Sequence, residues 1–119
     1  RIIMLPQDLR IGNLVYDSVR NKEVQIELKH FRELYISEKM FFERYKAIEL
    51  TDEKLLAFGF NKRNFGISIT TYMNLVYDDS QLIFECEDSF YSFELEHVKY
   101  AHELQNLYYS LKNEELQIT

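Results

Sequence analysis

Cysteine, proline and glycine are all scarce in this chain of 119 residues, which has one, one and three of them respectively. A single thiol, Cys86, cannot form an internal disulfide, so the stapled framework of many small secreted domains is excluded. A reducing, cytoplasmic compartment is the expected setting. With so little proline and glycine and no low-complexity tract, the composition is not that of a disordered chain. No apolar run approaches the roughly 20 residues needed to span a bilayer. The opening Arg1-Ile2-Ile3-Met4-Leu5 is too short for a signal peptide. Because it starts on arginine and not methionine, there is room for a few residues upstream. Histidine is also thin, with three residues.

What is abundant is apolar and aromatic residue, at 46% and 15%, ample for one packed core. The net charge of −6 is unevenly spread. Residues 1–63 hold twelve Lys and Arg against ten Asp and Glu, a balance of +2, whereas residues 64–119 hold two against ten, a balance of −8. An acidic half of that kind opposes a grip on a phosphate backbone, which needs clustered cations. A solvated acidic face accounts for it, and a basic partner is the alternative.

The pattern predicts a single α+β domain over residues 1–119, with a β unit at 10–48 and a helix-meander-helix at 49–119. Gly12-Asn13 reads as a turn before a β-prone run ending at Tyr16. Residues 17–22 have turn composition, and Val24, Ile26 and Leu28 alternate with polar residues, giving a hairpin. The stretch 31–50 fits either a helix or strands, and strand is expected over 40–48. Thr51 is placed to cap a short helix at 52–58, with Asp52 and Glu53 at the positive end of its dipole. Leu50 and Leu55 form a hydrophobic staple, and Gly59 supplies the left-handed stop. Alternation then predicts an antiparallel three-stranded meander, Phe65 to Tyr77, Leu82 to Cys86 and Phe90 to Leu95. Its turns are Asp78-Asp79-Ser80 and Glu87-Asp88-Ser89. A helix from His97 to Lys112, stopped by Asn113, is expected to pack on the sheet.

Sites for chemistry are sparse. His97 and His102 lie five apart on one helix, about 140° from each other, so they cannot share a metal as an i, i+4 pair does. Glu94 and His97 have Glu-x-x-His spacing but no second copy, as a di-iron bundle requires. Cys86 has no Lys, Arg or His beside it and reads as a buried, inert thiol. The acidic turns lack the calcium-loop pattern, and the glycines form neither a phosphate loop nor a nucleophile elbow. No catalytic, metal or cofactor residue is assigned.

The last helix carries two stripes. Tyr100, Ala101, Leu104, Leu107, Tyr108 and Leu111 share one face about 120° wide and suit a core. Val98, His102, Gln105 and Tyr109 fall nearly opposite. Either the rest of the chain covers this second stripe, or it is a seam for a protein partner or a second copy, with Tyr109 as anchor. The functional expectation is a non-enzymatic interaction module. A small enzyme using scattered carboxylates is the alternative, and a nucleic-acid accessory protein a further one. No membrane or small-molecule partner is indicated.

Three segments taken together also carry a resemblance: Leu9-Arg10-Ile11-Gly12-Asn13, then Leu50 through Phe60, then His102 through Tyr109 with Glu114-Glu115-Leu116. In this order they resemble small uncharacterised proteins encoded by phages and prophages of gut bacteria. Lys54 stands where such proteins often have tryptophan, and Asn113 where they often have glycine. The resemblance implies a context, an accessory role in a phage or mobile element, and no activity or cofactor.

Overall fold

The computed structural model describes residues 4–63, 66–69, 73–78, 81–86 and 92–116. The chain is α+β, and it divides into two compact units. The first takes residues up to Glu49 together with Tyr100–Leu116, and the second takes Leu50–Lys99.

In the first unit, β1 (Leu14–Asp17) pairs with β2 (Lys22–Gln25) as the expected hairpin. The Asp17 carboxylate forms the turn by accepting from Val19 N–H at 3.0 Å and Arg20 N–H at 3.3 Å, the bonding that makes Asp a turn former. Asn21 takes the positive φ of 54° that the turn then needs. Helix α1 (Leu28–Ile36) and helix α2 (Glu38–Arg44) follow, and β3 (Tyr45–Lys46) joins the other edge of β1. The expected strand over 40–48 is therefore mostly helix. The reason is Ser37, which sits in extended backbone and turns its hydroxyl onto Met40 N–H at 3.3 Å, ending one helix and capping the next. With α2 started there, Phe41 and Tyr45 fall four apart and both enter the core, beside Met4, Leu9, Val15 and Ile26.

The C-terminal helix, α4 (Ala101–Lys112), belongs to this same unit and packs against β1, whereas the sequence had grouped it with the downstream meander. It begins at 101 instead of 97 because the residues before it are used otherwise. Tyr100 bridges Glu49 in antiparallel fashion, and Ala101 N–H bonds Ile48 O at 2.7 Å. The Glu103 carboxylate, two residues inside the helix, accepts from Tyr100 N–H at 3.1 Å and caps the start. Asn113 ends it with φ 56°, as expected.

In the second unit α3 (Asp52–Ala57) has Thr51 as its cap, the hydroxyl accepting from Lys54 N–H at 3.1 Å. Gly59 adopts φ 97° just after it, a conformation that costs a side-chain-bearing residue energy. Leu55 and Phe58 are buried, and so are Leu50 and Phe60 on either side of the helix. Thr51→Ala should cost about 1 kcal/mol of stability in a denaturant melt, with Thr51→Ser close to the parent. A melt of the alanine variant that overlays the parent would show the cap to be idle.

Among the described residues the meander has five strands where three were expected: β4 (Asn61–Arg63), β5 (Gly66–Ile69), β6 (Met73–Asp78), β7 (Gln81–Cys86) and β8 (Ser92–Glu94), paired in chain order and all antiparallel. Leu75, Val76 and Tyr77 are buried in succession. Successive strand residues point to opposite faces, so this central strand is covered on both sides. Tyr77 donates its hydroxyl to Leu50 O at 3.2 Å. The side chain of Cys86, and most of the two acidic turns expected at 78–80 and 87–89, lie outside the described residues.

Candidate functional site

Gln105 and Asn106 tie α4 to the segment before β1. Gln105 Oε1 accepts from Leu14 N–H at 2.7 Å, and its Nε2 donates to Gly12 O and Leu116 O, each at 3.1 Å. Asn106 Nδ2 donates to Asp8 O at 2.7 Å, while its Oδ1 accepts from Asn13 Nδ2 at 2.9 Å and Arg10 at 2.8 Å. Arg10 also meets the Glu115 carboxylate and lays its guanidinium 4.2 Å from the centre of the Tyr109 ring. Gly12, at φ 98°, gives the loop its turn. Two of the three segments that carried the resemblance are thus bonding partners of each other. Their side chains form a clasp that holds a helix.

This geometry corrects the stripe Val98, His102, Gln105 and Tyr109 as a partner surface. Val98, His102 and Gln105 are buried. Only Tyr109 is exposed, at 39%, and one face of its ring carries Arg10. Tyr109 apart, the stripe faces inward, and its polar member Gln105 supplies bonds that backbone groups need.

The first unit also contains a polar cleft of about 400 Å³, lined by both hairpin strands, α1 and the end of α2. At its floor Asp17, buried, accepts from Arg44 Nε and one terminal nitrogen, both at 2.9 Å. That paired bond holds the Asp17 carboxyl down at about 2 against burial, which pushes it up; the two turn amides add to the lowering. Arg44 in turn is raised, chiefly by the same bond. Its other nitrogen stands 3.6 Å from Glu33. Tyr45 donates its hydroxyl to Glu33 at 3.2 Å, and burial, reinforced by the Glu33 charge, pushes that hydroxyl up. His30, buried, accepts from Glu27 N–H through Nδ1 at 2.8 Å, which places its hydrogen on Nε2.

The groups of this cleft largely spend their bonds on each other and on the turn. Asp17, Arg44, Glu33 and Tyr45 form one chain of contacts that locks hairpin, α1 and α2. Among the described residues no three His, Cys, Asp or Glu side chains are placed to hold a metal. His97 and Glu94 are exposed, and Glu94 accepts from Gln81 Nε2 at 3.2 Å. Among the same residues no helix is long and apolar enough to cross a membrane.

A different surface stands open. Leu28, Tyr35, Ile36 and Met40, on α1 and the start of α2, are 70–92% exposed. With Arg32, also exposed, the three α1 residues follow the spacing i, i+4, i+7, i+8, one continuous helix face. Phe31 and Leu34 point the other way, into the core. This face is not evident from the sequence, where 31–50 fits either a helix or strands and the phase of a helix there is undetermined. The signal available was Leu28 and Tyr35, seven apart with a charged residue between them.

No protein-family model, curated protein or solved structure matches this chain.

Proposed function

We propose that the protein is a non-enzymatic protein-interaction module, with an accessory role in a phage or mobile element as its setting. The observation that carries the reading is the exposed face of Leu28, Tyr35, Ile36 and Met40. Single exposed apolar residues are ordinary on any surface; several on one helix face are the usual mark of a docking site. Tyr35 suits an anchor, since its ring can fill a pocket while the hydroxyl stays wet. The flanking Lys29, Arg32 and Lys39, all exposed, would form the polar rim.

The test is a photo-crosslinker placed at Lys39, in the native cells. A discrete adduct to one protein is expected, lost in Tyr35→Glu. That variant should melt within about 0.5 kcal/mol of the parent, as exposed positions do. Absence of a discrete adduct, or one that survives Tyr35→Glu unchanged, removes the reading.

A further inference from the structure

His102 is fully buried, and among the described residues neither ring nitrogen has a hydrogen-bond partner. Buried polar atoms are nearly always paired, so a ring with two orphans is an exception that asks for a reason. The Tyr100 ring lies nearly parallel to it, with 6.2 Å between centres. Two charges act on the imidazole, Glu103 on its own helix and Asp8 in the turn at residues 6–8, and both favour a proton there. Each is committed elsewhere: Glu103 Oε1 to Tyr100 N–H at 3.1 Å, and Asp8 Oδ2 to Leu5 N–H at 3.0 Å. Burial outweighs both charges and holds the ring below its ordinary value of 6.5. One turn further along α4 stand Gln105 and Asn106, which carry the clasp.

We propose that α4 is an acid-operated latch, shut on the segment at residues 8–14 while His102 is neutral and released when its ring takes a proton from solvent. A neutral imidazole in this site leaves two polar atoms unmet. An imidazolium leaves two N–H donors without a bond and a charge that burial penalises more than Glu103 and Asp8 favour it, and opening to water relieves both. The Asn106 bond reaches Asp8, the residue whose charge also reaches His102, so relieving the ring and loosening the clasp are one motion. The opened state binds the proton more readily than the closed one. Opening is therefore suppressed above the ordinary histidine range and grows as pH falls below 6.5. One proton per opening gives up to about a tenfold rise per pH unit. This device is independent of the α1–α2 face and stands or falls without it.

Amide hydrogen exchange of the whole chain from pH 7.5 to 5, corrected for intrinsic rates, reads the latch directly. Protection at Leu104–Leu111 is expected to fall toward tenfold per pH unit, while amides of Leu75–Tyr77 in β6 keep theirs. Flat protection in α4, or equal losses in β6, overturns the proposal. In His102→Phe, which keeps a ring beside Tyr100, the α4 amides should lose their pH dependence; a variant with the parent slope counts against the latch. Should that variant fold poorly, ring proton shifts of the parent decide. A His102 ring that titrates near 6.5 with α4 still protected rules the latch out.

Discussion

Replacing Gln105 with leucine is expected to lower stability by about 3 kcal/mol, and the melting temperature by about 10–15 °C. Leucine matches most of the volume, so the loss is not one of packing. It leaves Leu14 N–H without the acceptor it meets at 2.7 Å, and takes one donor each from Gly12 O and Leu116 O. A buried N–H has a single bond to give, and leaving it unmade costs about 1–3 kcal/mol; the carbonyls add less because each has a second lone pair. The sign of the effect also separates two roles for α4. A side chain at an intermolecular seam would change the mass in solution and leave the melt in place. The bonding seen here demands the reverse: a collapsed melt at unchanged mass. Denaturant melts and sedimentation of Gln105→Leu together distinguish them.

Why the sequence left two readings open at Gln105 and one at Thr51 is a matter of range. A cap, a turn or a left-handed stop is made by residues within four of each other. Thr51, Gly59, Asn113 and the turn at Asp17 were therefore legible from local chemistry alone. Helical periodicity showed that α4 has two faces, but nothing local says what lies on the second. Leu116 apart, the partners of Gln105 and Asn106 are 91–98 residues away along the chain. Asp17 and Arg44 stand 27 apart, with no spacing rule to connect them. At 40–48 the aromatic residues fitted a strand as well as a helix, and the decision rested on one small side chain, Ser37. Strand β4 is Asn-Lys-Arg, with no apolar alternation to reveal it; it forms because β5 offers an edge. The exposed face on α1 went unseen for a related reason. Tyr35 sits beside core residues in sequence, and only the phase of the helix sends it outward.

Asp17→Asn is expected to cost about 3 kcal/mol at neutral pH, the lower end for breaking a buried ion pair. The lower end applies because the Arg44 side chain keeps 32% of its surface exposed and can turn to water once released. Asparagine still has an oxygen for the turn amides, so the hairpin bend survives; what it lacks is the second anionic oxygen that makes the bond to Arg44 paired. The acid response gives the sharper reading. The Asp17 carboxyl sits at about 2 when folded, against 3.8 ordinarily, so between those values the unfolded chain binds the proton first. Its contribution to stability is complete above the ordinary value and fades as pH falls toward 2. In the variant there is no carboxyl to titrate. The gap between parent and Asp17→Asn should therefore be wide in urea melts at pH 7 and 5, and should narrow steadily from pH 4 downward. This window lies well below the one in which His102 acts, so the two responses separate on the pH axis. A gap that stays constant to pH 2 would mean that the Asp17 charge contributes nothing, and that the loss in the variant comes from shape alone.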